Sequence, residues 1–140
     1  MQTHEARLQA RGLLIPSNEL FRVPLIPAGD TPMVSVERGE VIFRERGWYE
    51  VLLTVSWDAT NRGGHRFSHT SIPDSHPLHS EAIEAGVLAD LSDGRQLLRG
   101  NTVFDPDSVI SSLALEVWQD TPEPIAVSEA SIELRRLGPA

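Results

Sequence analysis

The sequence predicts an all-β chain folded as a jelly-roll β-sandwich. Three observations carry that prediction. Apolar residues recur at every second position in the longest patterned runs, the spacing that lines one face of a strand. Gly, Pro and Asp punctuate the body about every 8–12 positions, which leaves room for short strands only. The connections are Pro-rich, as in sandwiches of antiparallel strands.

Residues 1–20 read as a short, partly helical arm, with Glu5, Arg7, Arg11 and Glu19 around the Leu13-Leu14-Ile15-Pro16 break. The body covers residues 21–137, and Gly138-Pro139-Ala140 is a tail. Phe21–Ile26, Met33–Val36 and Val41–Phe43 are short strand candidates, separated by Pro27-Ala28-Gly29 and Gly39. Trp48 to Asp58 alternates most clearly: Tyr49, Val51, Leu53, Val55 and Trp57 on one face, Glu50, Thr54 and Ser56 on the other. Gly63-Gly64 follows it. In Ser80–Leu91 the apolar residues Ala82, Ile83, Val87, Leu88 and Leu91 lie near helical spacing. Gly86 weakens a helix there, and the all-strand context favours a strand over Ala82–Asp90. After Asp93-Gly94 comes a strand over Gln96–Phe104, then the turn Asp105-Pro106-Asp107. Val109, Ser111, Leu113, Leu115 and Val117 next alternate against Ser112, Ala114 and Glu116. The closing strand turns Val127, Ile132 and Leu134 inward and Glu133 and Arg135 outward.

At 140 residues the chain is about one domain, large enough to bury a core without disulfides. Twenty acidic residues face 12 basic ones, all Arg, for a net charge of -8. Without Cys or Lys there is no disulfide framework, Cys-ligated zinc, Cys nucleophile or Lys Schiff base. So acidic a chain is a poor partner for nucleic acid or anionic lipid. No apolar run has signal-peptide or membrane-spanning length, which makes a cytoplasmic location the default, with non-classical export or a particle surface left open.

Particular residues look familiar. Gly47-Trp48-Tyr49-Glu50-Val51 is similar to the glycine-x-tyrosine strand start of the C1q/tumour-necrosis-factor-like superfamily. Gly100-Asn101-Thr102-Val103-Phe104, followed by Asp107-Ser108-Val109, resembles its glycine-aspartate turn and long apolar strand. Ala130 to Leu137, with Leu134 inward, looks like its closing strand, especially in bacterial C1q-like domains. Pro106 stands where that turn has its Gly, and the calcium-binding carboxylates of one subset do not map onto this chain.

The resemblance implies a ten-strand jelly roll that assembles as a homotrimer and works by binding a protein or carbohydrate, with no catalysis and no cofactor. It further implies that Glu50, Leu52 and Thr54, with Ser131, Glu133 and Arg135, face the threefold axis. Relatives place large apolar side chains there, and here only Leu52 is one. Buried charge needs a partner, so an axis of this composition requires Glu50 and Glu133 to pair with Arg135. The same residues also suit the solvated face of a monomer or of a differently built oligomer. Trp48 and Trp118 are alternative contact aromatics, on faces opposite the inward runs.

Four of the five His fall in one segment: His65, His69, His76 and His79, near Asp74 and Glu81. They allow three readings: solvated loop residues, a zinc or other metal site, or a group that charges together below about pH 6. On a strand, His65 and His69 would lie about 13 Å apart, too far for one metal. A cupin-like metal-dependent jelly-roll enzyme is the competing class, but its His-x-His motif and downstream His are missing. A virion- or spore-type trimeric head, docked by the arm, is a third. Asp105 and Asp107 could hold calcium. Arg62, Arg66, Arg95 and Arg99 form either a solvated face or a small anion-binding patch. No phosphate loop, nucleophile elbow or HExxH motif is present.

Overall fold

The computed structural model describes residues 5–29, 32–58, 64–71, 87–91, 93–107 and 111–140. Their strands are β1 (Glu5–Ile15), β2 (Phe21–Arg22), β3 (Ile26–Pro27), β4 (Val34–Glu37), β5 (Glu40–Phe43), β6 (Gly47–Trp57), β7 (Arg66–Ser71), β8 (Ala89–Asp90), β9 (Arg95–Phe104), β10 (Ser112–Gln119) and β11 (Ile125–Gly138). No helix occurs among the described residues. The strands form two packed antiparallel sheets. One runs β3-β1-β11-β6-β9-β8; the other runs β2-β10-β5-β4, with β7 also on β10.

Alternation places the core. Tyr49, Val51, Leu53, Val55 and Trp57 all point between the sheets and are buried. Phe43, Tyr49 and Phe104 meet there, with Phe43 and Phe104 stacked at 3.7 Å and Tyr49 edge-on to both. Val127 and Ile132 are an odd number of residues apart, so an unbroken strand could not turn both inward. A register shift between Val127 and Glu129 reconciles them.

The largest departure from the sequence expectation lies at residues 5–15. The segment read as a partly helical arm is an 11-residue strand, paired with β11 from Glu5↔Arg135 to Ile15↔Ile125. Ala6, Leu8 and Ala10 face the core while Glu5, Arg7 and Arg11 face out. The two Ala carry two thirds of this period-two signal, and Ala is a weak strand marker. Pairing also covers the open edge of β11.

Smaller departures have local causes. Phe21–Ile26 splits into β2 and β3 because Leu25 N–H donates to Val23 C=O around Pro24. Arg38 (φ 52°) and Gly39 (φ 78°) make the two-residue left-handed turn between β4 and β5. The alternation expected over Val109–Gln119 gives way at Ser112–Leu115, where four successive side chains are buried. Val109, and residues 82–86 of the expected strand Ala82–Asp90, lie outside the described residues.

Candidate functional site

The family-like motif residues form one structural unit. Tyr49, Phe104 and Leu134 are buried, and Gly100 sits opposite Val51 in the β6–β9 ladder. Tyr49 O–H donates to Glu45 C=O at 2.6 Å. Burial, reinforced by the negative charge of Glu45, pushes the Tyr49 phenol above its ordinary pKa; Arg136 opposes the shift. Gly47 has no room for a side chain: a Cβ there would lie 2.6 Å from Arg136 Nε and 2.8 Å from Gly138 C=O. That close approach lets Arg136 donate to Arg46 C=O through Nε and Nη2. Asp107 is exposed, and its N–H donates to Asp105 Oδ1 at 2.9 Å.

The outer face of the six-stranded sheet collects all six residues expected at a threefold axis. Register sets them in rows across the strands. Glu5, Arg135, Glu50 and Asn101 form one row; Arg7, Glu133, Leu52 and Arg99 form the next. Gln9, Ser131, Thr54 and Leu97 follow, then Arg11, Glu129, Ser56 and Arg95. Apart from Asn101, the first two rows line a groove of about 820 Å³. Within the one chain Arg135 Nη2 lies 3.5 Å from Glu50 Oε1, and Glu133 pairs with Arg7 at 3.0 Å. Arg7 also binds Glu129 at 2.8 Å. Each pair is about half exposed, so each contributes only about 0.2–1 kcal/mol to the isolated chain. Arg99 has no ion pair among the described residues.

Sequence reasoning missed Arg7, Arg11, Glu129, Leu97 and Arg99 as members of this face. The signal was the alternation of Arg7, Gln9 and Arg11 with Ala6, Leu8 and Ala10, hidden by the arm reading. Trp48 extends the same face opposite Val103 and is 47% exposed. Trp118 points from the other sheet and stacks on Phe67 at 5.3 Å.

The histidines are not brought together where they are described. His65 N–H and Nδ1 contact the two Asp120 oxygens at 2.6 and 2.9 Å. His69 Nε2 approaches Glu116 Oε1 at 3.2 Å, without hydrogen-bond alignment. His76, His79, Asp74 and Glu81 lie outside the described residues. No group of three or more His, Asp or Glu suited to a metal occurs among the described residues. The calcium candidate Asp105 instead has Oδ2 3.6 Å from Arg46 Nε.

No protein-family model and no curated protein sequence matches the chain. Solved structures do match along almost its whole length. The PRD1 vertex protein P5 superposes with a TM-score of 0.67 at 11% identity, over 96% of each chain. This chain has the C1q/tumour-necrosis-factor-like jelly-roll fold. Murine APRIL gives a TM-score of 0.62 at 7% identity, over 95% of this chain and 99% of its own. The Eiger tumour necrosis factor of S. frugiperda gives 0.52 at 14%, over 97% and 93%. At such identities the likeness establishes the jelly roll alone. No helix of the described residues is long and apolar enough to cross a membrane.

Proposed function

We propose that this chain is a non-catalytic assembly and recognition module that forms a homotrimer through the outer face of the six-stranded sheet. The observation that carries this reading is the charge distribution. The four rows hold five Arg (7, 11, 95, 99, 135) and four Glu (5, 50, 129, 133). The rest of the chain therefore has seven basic residues against 16 acidic ones. Copies of so acidic a protein repel one another everywhere except across a near-neutral face. That face also offers Leu52, Leu97 and Trp48 for burial, and Arg99, without an ion pair among the described residues, for a carboxylate of a neighbouring copy. The implied threefold arrangement of the C1q/tumour-necrosis-factor-like resemblance selects a trimer over a dimer. The likeness to a vertex protein is compatible with a structural role on a particle, served by the same assembly.

Light scattering tests the proposal. A species near 46 kDa, three times the 15.4 kDa chain, is expected; a 15 kDa species sinks it. The Leu52→Asp variant places an unpaired charge in the middle of the face and should dissociate the assembly. A trimer that survives Leu52→Asp unchanged would place the contact elsewhere.

A further inference from the structure

A second groove, of about 390 Å³, lies at the other end of the sandwich, where the start of β7 meets β8 and β9. We propose that it binds the oxyanion of a small ligand, a carboxylate or a phosphate group, through the guanidinium groups of Arg66 and Arg95. Arg95 also ends the fourth row of the outer face, so the groove lies at the margin of the proposed trimer contact.

Arg66 supplies the first observation. It lines the groove, and its Nη1 is shielded from water with no hydrogen-bond acceptor. A shielded guanidinium nitrogen without a partner is unfavourable, and such groups in native proteins are nearly always satisfied by something. The carboxylates around it are committed elsewhere. Asp120 receives the backbone N–H of His65, which, with the His65 ring, holds its carboxyl below the usual carboxylate range. Asp90 Oδ1 accepts from Gln96 Nε2 at 2.7 Å. Asp93 takes Arg95 Nε on both oxygens, at 3.1 and 3.0 Å. None forms an ion pair with Arg66.

Arg95 supplies the second. Its contacts with Asp93 use Nε alone, so both Nη groups are without partners among the described residues. Both residues line one groove with guanidinium nitrogens that no described acceptor takes, and a guanidinium is the group suited to the planar, two-oxygen geometry of a carboxylate or phosphate. The wall between them is rigid. Trp57 Nε1 and Ser68 Oγ both donate to Gln96 Oε1, and Gln96 Nε2 spans to Asp90 and to Arg66 C=O. A wall fixed in advance leaves little ordering to be done on binding. The volume falls within the range of about 300–1,000 Å³ usual for small-ligand sites. In the lining itself two Arg and one His stand with the carboxylate Asp90, while Asp93 and Asp120 contact Arg95 and His65 from beside it.

The test uses the full chain in chloride buffer, with inorganic phosphate and succinate titrated separately at matched ionic strength. Melting temperature and the Trp57 indole N–H resonance are read together. A saturable rise in melting temperature with movement of that resonance is expected, and the anion that acts at lower concentration identifies the chemistry. Arg66→Met and Arg95→Met should each weaken binding at least tenfold. Arg66→Met in chloride should be no less stable than the parent, because it removes an unsatisfied donor. Asp90→Asn keeps the acceptor for Gln96, deletes the carboxylate that lines the groove and should tighten binding severalfold. The proposal is overturned if both anions act no more strongly than chloride. It is equally overturned if Arg66→Met responds as the parent does.

Discussion

Replacing Gln96 by Leu should be among the most damaging single changes in this chain. Gln96 is 3% exposed and uses its whole amide. Its oxygen accepts from Trp57 Nε1 at 2.8 Å and Ser68 Oγ at 2.5 Å, and its nitrogen donates to Asp90 Oδ1 at 2.7 Å and Arg66 C=O at 3.3 Å. That is the full capacity of an amide side chain. It also ties β6, β8 and β9 of one sheet to β7 of the other. Leu matches the volume but satisfies none of the four. Asp90 is exposed and regains water, so its loss is small. Trp57 and Ser68 are buried and do not, and each orphaned donor costs about 1–3 kcal/mol. Subtracting roughly 1 kcal/mol for the added apolar burial leaves a loss of about 1–5 kcal/mol, a large share of a typical 5–15. Urea unfolding followed by tryptophan fluorescence, at one fixed protein concentration, measures it. The double variant Gln96→Leu with Trp57→Phe removes one orphan and should recover about 1 kcal/mol relative to the sum of the singles. A Gln96→Leu loss under 0.5 kcal/mol would refute the reasoning.

Three further outcomes are expected. Tyr49 is the sole tyrosine, so tyrosinate absorbance in alkaline titration reports it alone. Its midpoint should lie above 10, and stability should fall as pH rises past the unfolded value near 10, because only the unfolded chain then loses the proton; a fall undiminished in Tyr49→Phe would contradict this. Asp120, held down by the His65 backbone N–H, should titrate below 3.8 by carboxyl NMR, its contribution to stability being lost as pH falls through that depressed midpoint. Asp120→Asn should blunt that acid sensitivity, and a midpoint at or above 3.8 would be the wrong result. Gly47→Ala pushes a methyl into Arg136 and the Gly138 carbonyl and should cost about 1–3 kcal/mol in chemical denaturation. An effect within 0.5 kcal/mol of zero would mean that the chain end yields freely.

What the sequence made legible was whatever repeats with period two in bulky residues. Tyr49 to Trp57 and Ile132 to Leu134 announce their inward faces because Val, Leu, Ile and aromatic side chains carry the signal. β1 did not announce itself, since Ala6 and Ala10 can line a strand or a helix equally well. That one misreading hid a quarter of the outer face: Arg7 and Arg11 belong to no motif and matter only because β11 lies beside them. The contact between Arg7 and Glu133 was illegible for the same reason, because the two are 126 residues apart and meet through register alone. Likewise, nothing local marks Gln96. Its role comes from Trp57, Ser68 and Asp90 converging from three other strands.

The ion pairs on the outer face bear on what would hold an assembly together. Arg7 already bridges Glu129 and Glu133, and Arg135 already meets Glu50, within one chain. Charges satisfied at home have little to gain from a neighbouring copy, and their desolvation on burial is unfavourable. Burial of Leu52, Leu97 and Trp48 is then the drive, and the intrachain pairs keep the face neutral enough for close approach. The repulsion to be overcome comes from the acidic remainder of each chain. Added salt screens that repulsion over about 10 Å at 0.1 M and leaves apolar burial intact. The trimer should therefore tighten as sodium chloride rises from about 0.05 to 0.5 M, by several-fold in sedimentation equilibrium. An interface built on ion pairs between copies would loosen instead, and that outcome would return Arg99 and Arg135 to the centre of the contact.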